Sequence, residues 1–221
     1  MRAILIGATG LTGGLLLNQI LESPVFSKIQ IISRRTHGMQ HAKLQETIIN
    51  FDDDIAFKDA IKDADVLFCC IGTTQQKEKG NKESYRKVDF DIPVKAATYF
   101  AANCTGSYIL MSSVGANAKS GSFYLRLKGE TEAGVLQKNI ESVYIMRPSV
   151  LLGKRKDQRM GERIAQIMMP AFSFLLSGNA SKYKAIDAAN VAKAMMNASI
   201  IQHPGKFVCE YREIMELAKE S

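Results

Sequence analysis

Ala3 to Leu17 reads AILIGATGLTGGLLL: four apolar residues, a turn of small residues, then an apolar segment able to form a helix. Ala3–Ile6 predicts a buried strand, and Gly7, Gly10 and Gly13 follow in G-x-x-G-x-x-G spacing. A strand–glycine turn–helix unit lets backbone N–H groups reach a pyrophosphate, and the helix N-terminus adds partial positive charge there. Gly7 would allow the tight turn, Gly10 the close approach and Gly13 the packing of helix on strand. Gly7, Thr9, Gly10, Leu11, Thr12 and Gly13 are therefore candidate cofactor-binding residues. The spacing alone is a weak signal, because three glycines also make an ordinary βα turn. Its position directly behind a strand strengthens it.

Outward from this turn, strands and helices alternate. Leu15–Leu21 predicts the apolar body of the first helix, which Ser23-Pro24 stops. Ile29–Ile32 predicts the second strand, ending in Ser33-Arg34-Arg35. A dinucleotide site that prefers NAD carries an acidic residue at this strand end, where it meets the ribose hydroxyls. Two guanidiniums there suit a 2′-phosphate instead, so Arg34 and Arg35 point to NADP(H), with NAD(H) still possible; the bland alternative is a pair of solvated arginines. Thr47–Phe51 predicts a third strand. Asp52 after it either meets the adenine edge or, with Asp53 or Asp54, caps a short helix over Ala56–Ile61.

Ala64–Ile71 (ADVLFCCI) is almost wholly apolar, as expected of a parallel strand covered on both faces. It runs into Gly72-Thr73-Thr74, so Cys70, Ile71, Gly72 and Thr73 are further candidates to border a cofactor. Gln75–Lys82 predicts a loop at the mouth of the site, and Tyr85–Ala102 a long helix that Pro93 kinks or splits. Tyr108–Met111 predicts the fifth strand, ending in Ser112-Ser113, and Ser142–Met146 the sixth. Alternation of this kind argues a doubly wound, parallel α/β sheet of Rossmann type. The whole chain, 1–221, reads as one nucleotide-binding domain, with 148–221 adding a small C-terminal region on the substrate side. Within that region Ile164–Leu176 and Ala185–Ala198 predict helices, the latter with Asp187 as a plausible cap. Lys206–Glu210 predicts an edge strand and Ile214–Lys219 a last helix.

Tyr124 and Lys128 stand four apart at the start of a predicted helix, so they share one face. Ser113 lies at the preceding strand end, where the carboxyl ends of parallel strands meet the ligand crevice. These are the parts of a carbonyl reductase. A tyrosine passes its phenolic proton to the substrate oxygen, a neighbouring ammonium stabilises the phenolate, and a serine hydroxyl polarises the carbonyl. Either Ser112 or Ser113 could face the site, since a one-residue slip reverses the face. On their own, Tyr124 and Lys128 could be a solvated helix face.

Taken together, Gly7-x-x-Gly10-x-x-Gly13, Ser112-Ser113 and Tyr124-x-x-x-Lys128 resemble the signature set of the short-chain dehydrogenases/reductases, in its extended and atypical branches. Ser33-Arg34-Arg35, Phe68–Thr74 (FCCIGTT), Phe123–Glu132 (FYLRLKGETE) and Arg147–Leu152 (RPSVLL) resemble more closely the group that contains the human Tat-interacting protein. The resemblance implies an NADP(H)-binding Rossmann fold and a catalytic Ser113, Tyr124 and Lys128. It also implies that Ser112, Tyr124, Lys128, Arg147, Pro148 and Val150 border the cofactor, the residues after Pro148 passing over the nicotinamide. It implies hydride transfer to or from a small carbonyl or alcohol, or else a cofactor-binding regulator with little turnover. The asparagine that many members carry on the fourth helix has no clear counterpart; Asp89 occupies its neighbourhood.

Composition narrows the partners. A hydrophobic share of 46% with 23% charged residues suits a soluble globular chain. No segment reaches bilayer-spanning length, and the N-terminus enters a strand at once, against a signal peptide. The net charge of +7 is spread rather than blocked, which suits an anionic cofactor better than a nucleic-acid surface. Cys69, Cys70, Cys104 and Cys209 lack metal-ligand spacing, and His37 and His41 lack a third ligand, so no metal is expected. Arg155 and Arg159 could meet an anionic substrate group or sit in a solvated loop. A cytoplasmic monomer or homodimer is the simplest expectation.

Overall fold

The computed structural model describes residues 1–73, 81–153 and 180–220. Seven parallel strands form its sheet: β1 (Arg2–Ile6), β2 (Lys28–Ser33), β3 (Leu44–Ile48), β4 (Val66–Cys69), β5 (Ser107–Met111), β6 (Ser142–Met146) and β9 (Gly205–Cys209). Their spatial order is β3-β2-β1-β4-β5-β6-β9. A separate two-stranded ribbon pairs β7 (Leu151–Leu152) with β8 (Ile186–Asp187). The chain reverses direction across the sheet between β1 and β4. Such a switch point opens a crevice outside the carboxyl ends of the strands.

Helices cover both faces. On one lie α1 (Leu11–Glu22), α6 (Ala188–Ile201) and α7 (Tyr211–Leu217), packed through Leu16, Leu17, Ile20, Val191, Met195 and Ile214. On the other lie α2 (Asp54–Ala60), α4 (Ile92–Asn103) and α5 (Phe123–Leu136), packed through Phe57, Ala96, Phe100 and Val135. Residues of β1 alternate between the two: Ala3 and Leu5 join the first cluster, Ile4 and Ile6 the second. A strand buried on both sides has to be apolar throughout, which is why the Ala3–Ile6 run shows no polar alternation.

The doubly wound parallel architecture agrees with the sequence reading, while several boundaries move. The third strand is Leu44–Ile48, not Thr47–Phe51. It lies at the sheet edge and its residues are only partly buried or exposed, so LQETI carries little hydrophobic signal. Asn50 ends it by turning the chain, accepting from the Asp52 N–H at its side chain and from the Asp53 N–H at its carbonyl. The fourth strand is shorter than Ala64–Ile71. The helix over Tyr85–Ala102 is divided: α3 (Lys82–Arg86) leads into one π turn, Lys87–Asp91, before α4 begins. Pro93 sits in the first turn of α4, where its missing N–H is tolerated, so the break falls upstream of it. Ala185 precedes α6 rather than starting it: Ile186 and Asp187 are extended in β8, and the Asp187 carboxylate caps α6 by accepting from the Ala189 N–H at 2.8 Å. Much of 148–221 belongs to the central body, since α6, β9 and α7 build one face and one edge of the sheet. The segments Gln75–Lys82 (up to residue 80), Lys154–Arg163 with Arg155 and Arg159, and Ile164–Leu176 lie outside the described residues.

Candidate active site

The strand register fixes where side chains converge. Ile6 pairs with both Ile32 and Cys69, Cys69 with Leu110, and Met111 with Met146. The segments Gly7–Gly13, Ser33–Arg35, Cys70–Thr73, Ser112–Ser113 and Arg147–Val150 therefore all leave the sheet at the carboxyl ends of its strands.

At the glycine turn, Gly7 has φ of +94°, and a Cβ there would stand 2.5 Å from the Cys70 carbonyl carbon. Gly13 is tighter: its Cβ would lie 2.2 Å from the Gly7 carbonyl oxygen. Only glycine lets α1 start this close to the β1 and β4 ends. Gly10 donates to the Gly7 carbonyl at 3.0 Å and caps α1 without any side-chain hydrogen bond. The first N–H groups of a twelve-residue helix thus face the crevice with no capping side chain. Thr9 and Gly10 are exposed, Thr12 is buried, and Leu11 reaches across to Gly153 beyond β7.

Arg34 and Arg35 are exposed at the end of β2, and among the described residues neither guanidinium has an ion-pair partner. The Ser33 hydroxyl donates to the Arg35 carbonyl at 2.6 Å, shaping this turn. Asp52 is exposed, 4.0 Å from Lys87 Nζ. Its neighbour Asp53 caps α2, accepting from the Ile55 and Ala56 N–H groups.

The chemistry-bearing face belongs to α5. Tyr124 is half-buried, and Lys128, one turn on, is buried. Lys128 Nζ lies 2.9 Å from Asp89 Oδ1, on the π turn. The other carboxylate oxygen of Asp89 accepts from the Thr73 N–H at 2.8 Å. The Asp89 carbonyl, which has no α-helical donor because Pro93 lacks an N–H, accepts from the Thr131 hydroxyl at 2.8 Å. Burial pushes the Lys128 ammonium down, but the Asp89 carboxylate, with the Tyr124 oxygen adding to it, outweighs burial and holds it above the ordinary lysine value. Lys128 Nζ is also 3.9 Å from where a Gly72 Cβ would be, so the α5 face meets the glycine-turn half of the crevice there.

Both serines at the end of β5 are buried, with different commitments. Ser112 donates to Glu132, which is itself buried and holds Arg147 in a two-pronged pair, Nε to Oε1 at 2.9 Å and a terminal nitrogen to Oε2. Arg147 also stands 3.9 Å from Glu210. Ser113 Oγ makes one long contact, 3.4 Å to the Val114 carbonyl. Its hydroxyl is thus the freer of the two. Among the cofactor candidates, the Pro148 carbonyl accepts from Val114 N–H and the Val150 carbonyl from Ile186 N–H, which docks this segment onto the sheet and onto β8. Sequence reasoning missed the Glu132–Arg147 pair and the Asp89–Lys128 pair. The available signal was an acidic residue among apolar helix positions: Asp89 between Val88 and Ile92, and Glu132 facing inward with Val135.

Among the described residues, no group of His, Cys, Asp and Glu could hold a metal ion, and no helix is long and apolar enough to cross a membrane. Cys69 is buried, which pushes its thiol up to about 11.

A family model described as HIM1 matches residues 29–175. The chain is 33% identical to Protein HTATIP2 of Rattus norvegicus, over 98% of this chain and 89% of that protein. It is 30% identical to Protein FMP52, mitochondrial, of Candida albicans, over 89% and 87%. The name of that fungal relative gives the cytoplasmic expectation no support. Among solved structures, MoeE5 in complex with UDP-glucose and NAD aligns with a TM-score of 0.71 at 13% identity, covering 99% of this chain and 81% of that one. The Bordetella bronchiseptica enzyme WbmH in complex with NAD+ aligns with a TM-score of 0.70 at 13% identity, covering 95% and 75%. At such identities the likeness is one of fold.

Proposed function

This chain belongs to the HIM1 family, and from that footing we propose that it is an NADP(H)-dependent oxidoreductase of the short-chain dehydrogenase type, acting on a small carbonyl or alcohol. The observation that carries this reading is the meeting of two half-sites at the carboxyl ends of the strands. One is the Gly7–Gly13 cradle, closed to any side chain at Gly7 and Gly13 and fronted by the uncapped α1 terminus. The other is the Tyr124–Lys128 face, joined to it at Gly72. The backbone cradle and helix terminus suit a pyrophosphate, and Arg34 and Arg35 suit a 2′-phosphate. When bound, the dinucleotide supplies or accepts the hydride.

The chain's own residues do the rest. Tyr124 Oη gives its proton to the substrate oxygen in reduction and takes it back in oxidation. Ser113 Oγ donates a hydrogen bond to the same oxygen, orienting and polarising it. Lys128 stands beside the phenol and stabilises its ionised form. Asp52, Cys70, Ile71, Gly72, Thr73, Pro148 and Val150 would border the adenosine and nicotinamide halves. NADPH oxidation with a panel of aldehydes and ketones tests the reading: turnover is expected, Tyr124→Phe should abolish it, and no turnover with any of them counts against it.

A second reading, a dinucleotide-binding regulator with little turnover, has one observation on its side: Lys128 is already tied to a buried carboxylate. Loss of the cellular phenotype in Gly10→Asp, with Tyr124→Phe unaffected, would favour that reading over the enzyme.

A further inference from the structure

β2 and β3 are parallel neighbours, so the chain from Arg34 to Lys43 has to run back the length of the sheet before β3 can begin. It makes this return as irregular chain, without a helix to supply its hydrogen bonds, so its shape has to come from side chains. Glu46 of β3 supplies them. Its Oε1 accepts from the His37 N–H at 2.9 Å and its Oε2 from the Thr36 hydroxyl at 2.8 Å. The Thr36 hydroxyl in turn accepts from the Gly38 N–H at 3.2 Å, and Gly38 turns the chain with φ of +76°. Met39, just beyond, packs against the cluster under α1, as does Leu44, which shares a strand face with Glu46. Arg35 is thereby held from both sides. The Ser33 hydroxyl donates to its carbonyl at 2.6 Å, and the two residues after it are fastened to Glu46. Both oxygens of the carboxylate are taken by neutral donors, and among the described residues it makes no ion pair with Arg34 or Arg35.

We infer that Glu46 is a positioning residue for cofactor choice: it fastens the segment behind Arg34 and Arg35, so that both guanidiniums meet a 2′-phosphate from a backbone that is already ordered. This rests on Arg34 and Arg35 forming the 2′-phosphate site. A loop that has to be ordered on binding subtracts that ordering from the affinity, and one held beforehand does not. The sign of the effect separates this role from simple electrostatics. As a charge alone, a carboxylate held against this loop repels a 2′-phosphate and disfavours NADPH. As an anchor it favours NADPH. NADH lacks the phosphate and is indifferent to either role.

The test is a fluorescence titration of the full chain with NADPH and with NADH, in wild type, Glu46→Ala, Glu46→Gln and Arg34→Ala/Arg35→Ala. Alanine removes both acceptors. Glutamine loses only the charge, since its carbonyl can accept from the His37 N–H while its amide donates to the Thr36 hydroxyl. Glu46→Ala is expected to weaken NADPH about tenfold, the scale of one or two lost hydrogen bonds, and to leave NADH at its wild-type affinity. Glu46→Gln should bind NADPH at least as well as wild type. The NADH arm also reports folding, because both cofactors use the same glycine turn. NADPH binding that is unchanged or tighter in Glu46→Ala overturns the inference. So does an equal loss for both cofactors, which would make the anchor merely structural, and so does a Glu46→Gln as weak as Glu46→Ala. Failure of the underlying reading looks different: a wild type without NADPH preference, or a preference that survives Arg34→Ala/Arg35→Ala, removes the 2′-phosphate site itself and this inference with it.

Discussion

Replacing Gly13 by alanine probes the glycine turn most directly. The added Cβ would sit 2.2 Å from the Gly7 carbonyl oxygen and 2.9 Å from its carbon, with the Cys70 side chain 3.2 Å away. Ordinary carbon–oxygen contact needs roughly 1 Å more than the first of these, and the obstacle is backbone that cannot rotate aside. The start of α1 must therefore lift off β1. Overpacking of this kind costs roughly 1–3 kcal/mol. The Gly-to-Ala gain of at most about 1 kcal/mol in helix propensity offsets part of it. A net loss of about 1 kcal/mol is expected, which for a chain of this size lowers Tm by roughly 2–4 °C. Gly14→Ala is the matched control, because its Cβ would stand 3.3 Å from the Ala8 carbonyl oxygen, a contact a small shift can relieve. Thermal unfolding by circular dichroism and NADPH fluorescence titration are read on both variants. Gly13→Ala should lose stability and nucleotide affinity together, with Gly14→Ala close to wild type. Equal stability of the two variants would refute the close-packing argument, and full NADPH affinity in a destabilised Gly13→Ala would refute the assignment of the turn to the pyrophosphate.

Arg34→Ala/Arg35→Ala should erase any preference for NADPH over NADH while leaving NADH affinity near its starting value; an unchanged preference would return both arginines to plain surface residues. Glu132→Ala leaves the Arg147 guanidinium half-buried and, among the described residues, partnered only by Glu210 at 3.9 Å, and strips Ser112 of its acceptor. Urea unfolding should show a loss of about 3 kcal/mol, and a loss under 1 kcal/mol would mean the pair is dispensable. Alkaline stability follows from the thiols. Burial raises Cys69 from 9.0 to about 11 and Cys209 to about 12, so the unfolded chain gives up these protons first. Their contribution is intact below pH 9 and is lost as pH rises toward 11 and 12, roughly 2–3 kcal/mol for Cys69 alone. Tm measured from pH 8 to 11 should fall, and fall less in Cys69→Ala relative to its own value at pH 8.

What could be read from the sequence tracks how locally each feature is encoded. Gly7–Gly13 is specified by contacts within a few residues and the neighbouring strand, so its spacing announces it. Val66–Cys69 shows its burial on both faces as an unbroken apolar run. The edge strand Leu44–Ile48 carries neither signal, because half of its surroundings is water, and its reading slipped three residues toward the more apolar Ile48, Ile49 and Phe51. The π turn depends on Thr131, forty-two residues away, satisfying the Asp89 carbonyl. Nothing near Asp89 in the chain forecasts that contact. The same holds for Ser112 against Ser113. The choice between them is made by Glu132, on the next helix, and by the Arg147 that Glu132 must also hold.

The late closing of the sheet bears on how the chain is made. β6, buried along its whole length from Ser142 to Met146, has its outer backbone edge covered by β9, which pairs with it residue for residue from Gly205 to Cys209. During synthesis, β6 waits as an unprotected edge while α6 and the ribbon are still emerging. An apolar strand with a row of unpaired N–H and carbonyl groups is a template for another chain. Any truncation that removes the last seventeen or so residues would leave that template permanently open, and the product would be lost to aggregation although Gly7–Gly13, Tyr124 and Lys128 were all still present.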